Sequence, residues 1–585
     1  MDLFDILTMI GGLCLFLFGM NIMGNALERR AGDTLRTLLG KLTTNKFAGM
    51  LTGLGVTAVI QSSSATTVMV VGFVNSGLMT LSQAINVIMG ANVGTTVTAW
   101  ILSLGAISSD NIILQLLKPT SFTPILALIG IILYMFTKSS KKKDTGMILL
   151  GFAVLMFGMD TMSDAVSGLK DVPAFADLFI MFKNPILGVL AGAILTAIIQ
   201  SSSASVGILQ ALAVTGQVSF GAAIPIIMGQ NIGTCITAIL SSIGTNKNAR
   251  RASLVHLSFN VIGTVIWLAV FIIVDLLFHP AMLDQSANSF GIAVAHSCFN
   301  VGCLILLLPM SSLLEKLAKK LIPDTDASPE AVTELDERLL MTPPMALERC
   351  HDVASDMARC SVQTLKDSLK SFSEYSADLA SSIRENEDKS DHYEDILGTY
   401  LVKLSALQIS EDDSAETAKL LHIIGDFERI SDHGVDLLCS AEEIREKNIN
   451  LSESASAELK TVIGAVSEIL DLSLSAYLAN DVEAAAKVEP LEQVIDSLKE
   501  QLRARHIVRL QQGACSIEAG FVWSDILTAL ERTSDHCSNI AGCIIDMANR
   551  KNRNLNIHES LRAVKAGDPE FDRYFKEYSG KYSIA

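Results

Sequence analysis

The sequence QSSSA at residues 61–65 recurs unchanged at residues 200–204. A second pair follows the first, because MGANVGTTVTA at residues 89–99 matches MGQNIGTCITA at residues 228–238. Both pairs are separated by 139 residues, and no gap is needed between them. A repeat at one constant offset indicates a structure built from two copies of one unit.

The repeats lie in an apolar half of the chain. Residues 47–109 and 184–246 contain no Lys, Arg, Asp or Glu, and each run has 63 residues, whereas a spanning helix needs about 20. Their Gly, Ser, Thr, Asn and Gln content favours discontinuous helices that line a cavity. The first 310 residues carry 15 basic and 12 acidic residues, and the remainder carries 30 and 50. An average soluble enzyme, a disordered chain and a basic nucleic-acid-binding surface are all excluded.

The charges of the loops predict how the two copies are oriented, because Lys and Arg concentrate on the cytoplasmic side. They place 28–46, 138–143, 244–251 and everything after 311 inside, and 105–112, 167–185 and 279–290 outside. Equivalent loops of the two copies fall on opposite sides. This pattern is typical of the inverted repeats of secondary transporters.

The paired serine motifs offer a binding chemistry. A helix that begins near such a motif presents backbone N–H groups to an anion, and hydroxyl, amide and carbonyl oxygens suit sodium. Neither uncharged run holds a Lys or Arg that could neutralise an anion, so bound cations would supply that charge. Ser, Thr and Gly that merely pack helices are the alternative. A serine nucleophile is disfavoured because both runs lack His, Asp and Glu.

These motifs resemble those of the type II sodium/phosphate cotransporters over roughly residues 1–310. The resemblance implies sodium-driven phosphate transport, with each QSSS on a re-entrant hairpin. It implies phosphate and sodium sites at Gln61, Ser62, Ser63, Ser64, Gln200, Ser201, Ser202 and Ser203. Weaker candidates are Thr66, Asn92, Thr95, Thr96, Ser205, Asn231 and Thr234. Two further motifs of the family, HLSFN at 256–260 and HSCFN at 296–300, place His256 and His296 in packing or functional roles.

The acidic second half contains another repeat. ERISDH at 428–433 matches ERTSDH at 531–536. The charged, Gly-poor pattern predicts three long helices per copy, at 346–385, 387–409 and 412–446, then at 454–480, 483–510 and 516–550.

The second repeat resembles the PhoU family over about residues 345–550. This resemblance implies two three-helix bundles and iron- or zinc-type metal sites at Glu428, Asp432, Glu531 and Asp535. A solvated acidic face with Arg429 and Arg532 as ion-pair partners is the alternative. The second copy has Asn539 where the first has Asp436, which sets the two metal sites apart.

The whole chain is therefore expected to be an all-α, polytopic membrane transporter with inverted repeats, followed by a cytoplasmic PhoU-like regulatory pair of bundles. The predicted membrane domain covers residues 1–312 (repeat 1 about 1–138, repeat 2 about 139–277, an extra helix 291–310). A linker at 313–344, a PhoU-like domain at 345–550 and a tail at 551–585 complete the predicted organisation. The tail is expected to form a surface extension or a homo-oligomer contact. The ten cysteines show no paired spacing and are expected to be reduced.

The expected function is sodium-dependent symport of inorganic phosphate across a bacterial plasma membrane by alternating access, with no enzymatic activity. The alternatives are a phosphate exporter or a proton-coupled anion transporter of the same fold, and a phosphate sensor that does not transport. The expected partners are phosphate, sodium and the lipid bilayer, and no nucleic acid.

Overall fold

The chain is helical and divides into two units, Met1–Ala346 and Leu347–Ala585. The computed structural model describes residues 3–40, 45–104, 119–167, 181, 184–323, 335–550 and 569–584. Within these ranges the backbone forms helices and turns, with one isolated antiparallel β-bridge between Ser219 and Ser286. The predicted all-α class is confirmed.

The first unit holds the helices of both repeats. They are α1 (Leu3–Gly40), α2 (Lys46–Ile60), α3 (Ser63–Asn75), α4 (Leu81–Gly94), α5 (Thr96–Ser103), α6 (Pro119–Phe136), α7 (Ser140–Ser167), α8 (Pro185–Ile199), α9 (Ser202–Ala213), α10 (Phe220–Gly233), α11 (Cys235–Ser241), α12 (Lys247–Phe278), α13 (Ser289–Leu307) and α14 (Ser311–Leu321).

The two repeats fold alike. Each of α2 to α5 begins 139 residues before its counterpart among α8 to α11. In both copies the hairpin helix that precedes the serine motif packs against the helix that carries the Gly-x-Asn-x-Gly-Thr stretch, α2 on α4 and α8 on α10. The first helices of the two copies, α1 and α7, pack against each other along much of their length.

The serine motifs lie at the tips of helical hairpins. With 15 and 13 residues, α2 and α3 are each shorter than the span of about 20 residues that a bilayer requires. The same holds for α8 and α9, with 15 and 12 residues. The chain therefore enters the membrane unit, turns at the motif and returns, which is the expected re-entrant geometry.

Six helical segments of the first unit are long and apolar enough to cross a membrane, counted over the described residues. They are Phe4–Arg30, Leu81–Ser103, Ser140–Ser167, Phe220–Ser241, Lys247–Phe278 and Ser289–Leu307. A seventh, Glu453–Ala479, belongs to the second unit. Its apolar side chains, including Leu459, Val462 and Ile469, are buried within a bundle, so its hydropathy reflects a protein core.

The charged loops used to orient the repeats are only partly described. The predicted outer loops 105–112 and 167–185 lie almost wholly outside the described residues. The predicted inner stretch 244–251 forms the start of α12, where the Asn246 side chain caps the helix by accepting from the Ala249 N–H at 2.9 Å.

The second unit consists of long helices in two groups of three, followed by a shorter helix. They are α15 (Pro343–Ser371), α16 (Ala377–Ser405), α17 (Glu411–Glu446), α18 (Glu453–Ala479), α19 (Val482–Gln511), α20 (Ile517–Arg550) and α21 (Pro569–Lys581). Helices α17 and α20 pack together. A buried ion pair joins them, Lys419 Nζ to Asp546 Oδ2 at 2.7 Å.

Two expectations about this unit need correction. The first helix ends at Ser371 and not near 385, because Ser376 starts a new helix by accepting a hydrogen bond from the Leu379 N–H. The described end of the tail is no free extension: α21 packs on α19, and Tyr578 and Tyr582 are buried. The tail's residues 551–568 lie outside the described residues.

Close packing of α2 on α4 depends on glycine, and this generates a stability prediction. A Cβ on Gly90 would lie 1.9 Å from the Met50 carbonyl oxygen, whereas a Cβ on Gly11 would meet nothing within 4 Å. We expect Gly90→Ala to destabilise the membrane unit by about 1–3 kcal/mol or more through overpacking. Thermal unfolding of the purified protein measures this. Gly11→Ala is the matched control, and an equal loss in both variants would contradict the packing argument.

Candidate functional site

Both serine motifs line one cavity. Its volume is about 420 Å³, and its wall includes residues 61–65 from the first hairpin and 200–203 from the second. Ser63 and Ser202 are both buried inside the unit. The structure therefore brings all eight strongest sequence candidates together: Gln61, Ser62, Ser63, Ser64, Gln200, Ser201, Ser202 and Ser203.

The backbone at each motif breaks one helix and starts the next. Gln61 and Gln200 adopt left-handed conformations, with φ of 61° and 59°, which ends the preceding helix. The following serine caps the new helix, because Ser62 Oγ accepts from the Ala65 N–H and Ser201 Oγ from the Ala204 N–H, both at 3.2 Å. Two helix N-termini thus meet the cavity, and both favour an anion.

The two glutamines differ in their surroundings. Gln61 is buried and its Oε1 accepts a hydrogen bond from Thr98 Oγ1 at 2.9 Å. Its Nε2 donates to the Ala58 carbonyl oxygen. Gln200 is exposed in the structure of the chain alone. The first hairpin tip is therefore the more rigidly held of the two.

The weaker candidates lie outside the wall of this cavity. Their side chains are buried and most of their polar atoms pair with nearby groups of the protein, but Ser205 Oγ and Thr234 Oγ1 have no hydrogen-bond partner among the described residues. Thr66 Oγ1 accepts from Thr57 Oγ1 at 3.0 Å, and Asn92 Nδ2 donates to the Ile88 carbonyl oxygen at 3.0 Å. The residues in question are Thr66, Asn92, Thr95, Thr96, Ser205, Asn231 and Thr234. None of the seven lines this cavity, and their assignment as weaker site candidates stays a prediction.

The two histidines also lie away from the cavity wall. His256 and His296 are fully buried. His256 Nε2 lies 3.4 Å from Asn92 Oδ1, so the Asn92 amide connects the α4 motif to α12. His256 Nδ1 and both ring nitrogens of His296 have no hydrogen-bond partner among the described residues, so the choice between a packing and a functional role stays a prediction.

Helix α1 contributes a wall that the sequence did not predict. Asn21, Asn25 and Glu28 line the cavity, and their spacing of four and three residues puts them on one helical face. Glu28 is 8% exposed, and its Oε1 has no hydrogen-bond partner among the described residues. The helical spacing could have revealed this face, but Glu28 was assigned by its charge to a cytoplasmic loop.

A short segment of the predicted linker contributes one residue to the cavity wall. Met341 is part of the wall and ends a 3-10 helix, Glu337–Met341. Leu339 of that helix is fully buried and packs near Gly72 of α3. The predicted linker is therefore partly ordered against the membrane unit.

An acidic cluster occupies the first bundle of the second unit. Carboxylate oxygens of Glu387, Asp391 and Asp432 lie within 4.8 Å of one another. Burial and the neighbouring Asp432 carboxylate raise the pKa of Asp391. Burial and Asp432 also raise the pKa of Glu428 to about 7. Arg429, the expected ion-pair partner, lies 2.8 Å from Asp432 Oδ2 and 3.3 Å from Glu428 Oε2, so it compensates part of this charge. The remaining repulsion suits a site that holds a cation.

The cluster differs from the expected ligand set. Of the expected pair Glu428 and Asp432, only Asp432 belongs to the three-carboxylate group, and the other two members come from α16. Glu428 lies beside the group and interacts with Asp432. In the second copy Glu531 pairs with Lys499 Nζ at 2.8 Å. The pKa of Asp535 is raised, mainly by burial and to a smaller extent by the neighbouring Glu531 carboxylate. Among the described residues, the second copy forms no equivalent three-carboxylate group.

The chain matches two protein families. The Na+/Pi-cotransporter family matches residues 15–164 and 176–306. The PhoU domain matches residues 354–441 and 459–544. Together the matches place a transporter family in the first unit and PhoU domains in the second.

Relatives include both full-length and shorter proteins. YjbB of Salmonella typhimurium, described as a candidate inorganic phosphate export protein, is 25% identical over 558 residues, which cover 92% of this chain and 97% of that protein. The uncharacterized protein YqeW of Bacillus subtilis is 31% identical over 311 residues, 53% of this chain and 95% of YqeW. Sodium-dependent phosphate transport protein 2A of Rattus norvegicus is 38% identical over 100 residues, 16% of this chain and 15% of that protein.

The repeat, the hairpins and these matches agree. The chain is a membrane protein that belongs to the Na+/Pi-cotransporter family and carries PhoU domains in its C-terminal half.

Proposed function

We propose that this protein is a symporter that couples inorganic phosphate to sodium across the bacterial plasma membrane. The observation that carries the proposal is the meeting of both QSSS hairpin tips in one cavity. Two helix N-termini offer N–H groups and positive dipole ends to phosphate. Serine hydroxyls and glutamine amides offer oxygens to sodium.

The inverted repeats supply the transport step. Each copy presents the same hairpin from opposite sides of the bilayer, and rocking of one copy against the other would open the cavity to each side in turn. Sodium bound beside phosphate offsets its negative charge in a wall whose described residues include no basic side chain. Phosphate would then bind well only when sodium is present.

Phosphate export is the second candidate, because YjbB bears that description over nearly its whole length. The same cavity serves both directions, since the direction follows from the imposed gradients. In either case we propose that the second unit is a cytoplasmic regulator. The linker connects it to the membrane unit on the side where the basic loops are predicted to lie.

Phosphate flux into proteoliposomes tests this function. We expect uptake of labelled phosphate under an inward sodium gradient and its loss when choline replaces sodium, because the bound cation compensates the anion. Counterflow with imposed gradients of either sign distinguishes uptake from export. Equal flux in choline would contradict sodium coupling.

Gln61→Ala and Gln200→Ala serve as site variants in the same assay. Each removes an amide from the cavity wall, so we expect sodium-dependent flux to fall to background while the protein still purifies as a folded membrane protein. Normal flux in both variants would contradict the placement of the site. Gly11→Ala, on the open side of α1, should transport normally.

We further propose that the acidic cluster of the first bundle binds a divalent metal ion, as part of the regulatory unit. Glu387, Asp391 and Asp432 offer oxygen atoms only, and carboxylate ligands suit Mg2+, Ca2+ or Mn2+ better than the iron or zinc expected from the family resemblance. Bound metal would relieve the repulsion among these carboxylates and stiffen the contact between α16 and α17.

Removal of one carboxylate tests the metal site. In the purified full-length protein, Asp391→Asn should weaken Mn2+ binding by at least about tenfold, measured by titration and by elemental analysis. Affinity in the native protein should fall as the pH drops through about 7, because a proton on Glu428 and its neighbours competes with the metal. Asp535→Asn in the second copy is the matched control, and equal losses in both variants would place the metal elsewhere.

A further inference from the structure

Glu28 is a buried carboxylate in the wall of the transport cavity. It is 8% exposed, its Oε1 lacks a partner among the described residues, and it shares the wall with both serine motifs. Among the described residues that form this wall, Glu28 is the only ionisable one. A carboxylate held in such a place is costly unless a cation accompanies it.

The neighbouring Arg29 compensates this charge only in part. Its attraction favours the Glu28 carboxylate but is outweighed by burial, and its Nε pairs with Asp144 Oδ1 on α7 at 2.9 Å. The remaining wall is made of hydroxyl, amide and apolar groups. A mobile cation is therefore needed, above all when phosphate brings further negative charge into the cavity.

We propose that Glu28 is the anionic ligand of a coupling sodium ion in this cavity. The inference rests on the proposed function and adds the residue that makes sodium obligatory. Its carboxylate attracts Na+, and the wall amides and serine hydroxyls complete an oxygen shell. With Na+ in place, the repulsion between Glu28 and phosphate becomes an attraction through the shared cation. The counterpart of Glu28 in the second repeat is Ser167, so only the first repeat has a carboxylate at this position.

Sodium titration of phosphate flux tests the assignment in proteoliposomes at fixed pH. Glu28→Gln should raise the sodium concentration for half-maximal flux by about tenfold. Asp164→Asn, which removes an exposed carboxylate of α7 outside the cavity wall, should leave that concentration unchanged. In detergent, the thermal stabilisation of the purified protein by sodium should vanish in Glu28→Gln and persist to a lesser degree in Glu28→Asp.

The outcomes separate the two proposals. An unchanged sodium requirement in Glu28→Gln would overturn the role of Glu28 and leave sodium symport standing. A native protein whose flux ignores sodium would overturn both. A flux driven by a pH gradient without sodium, and lost in Glu28→Gln, would make Glu28 a proton carrier and overturn its assignment to sodium.

A second inference rests on separate contacts, those of the segment before α15. Asp336 is 1% exposed and accepts from Asn75 Nδ2 at 2.7 Å, at the end of α3 in the first repeat. Arg338 pairs with Asp336 at 3.0 Å and donates to the Ile243 carbonyl oxygen at 3.1 Å, in the second repeat. The segment is therefore fastened to both repeats at once.

The same segment packs on the first repeat and reaches the cavity wall. Leu339 fills the space beside Gly72, where an added Cβ would lie 3.1 Å from Leu339 Cδ2. Met341 reaches the cavity wall. Because α15 begins at Pro343 and continues into the second unit, any displacement of α15 acts on this segment through the chain.

We infer that residues 335–342 form a clamp that holds the two repeats together and restrains alternating access. Transport requires the repeats to move against each other, and the clamp is bonded to both. The PhoU-like unit regulates flux by pulling the clamp away or letting it dock. The clamp would act whichever ion drives transport.

Variants on both sides of the contact test the clamp in the full-length protein. Arg338→Ala removes the bonds to the second repeat, and Gly72→Ala displaces Leu339 without altering the clamp itself. Both should raise phosphate flux by about tenfold and speed labelling of a cysteine introduced at Ser64, followed by mass spectrometry. Lys320→Ala, an exposed change on α14, is the control. Unchanged or reduced flux with unchanged labelling in both variants would overturn the clamp.

Discussion

The need to satisfy backbone hydrogen bonds inside a membrane governs this protein. A helix that ends within the bilayer leaves N–H and C=O groups that lipid cannot satisfy. At residues 61–62 and 200–201 the chain meets this need with a left-handed glutamine and a capping serine. Each cap uses only some of the N–H groups of the first helical turn, so the remaining ones are available to a ligand. The binding site thus arises from the same break that creates the hairpin.

Twofold repetition places the two breaks together, and departures from it give the cavity its chemistry. Gln61 is held by Thr98, whereas Gln200 is exposed. Glu28 of α1 has a serine as its counterpart. The charge in the cavity wall therefore comes from one repeat, and a cation bound there would sit off the symmetry axis. An asymmetric site of this kind allows phosphate and its counter-ion to occupy neighbouring positions.

The second unit shows a similar departure from its own repeat. The first bundle groups three carboxylates that lie close enough to repel one another. In the second, the Lys499 ammonium neutralises Glu531. The two copies thus differ in how their carboxylates are paired, because Arg429 of the same helix pairs with Asp432 at 2.8 Å in the first copy, whereas Lys499 of an adjacent helix pairs with Glu531 in the second. The linker that joins this unit to the cavity is ordered at residues 335–342 and bonded to both transport repeats.

Local signals in the chain were sufficient to predict the helical class, the repeat offset and discontinuous helices, since charge-free runs and hydropathy act over a few residues, whereas the re-entrant hairpins were implied by the family resemblance. They also predicted that the QSSS residues would carry the site, and the structure places all eight on one cavity. Tertiary structure alone placed Glu28 in the wall, because its charge by itself resembled that of a loop. It also placed Asp432 beside Glu387 and Asp391. The Gly-x-Asn-x-Gly-Thr motifs of α4 and α10 lie outside the cavity wall. These outcomes depend on which faces of distant helices meet, and side-chain direction across such contacts is not encoded in any one segment.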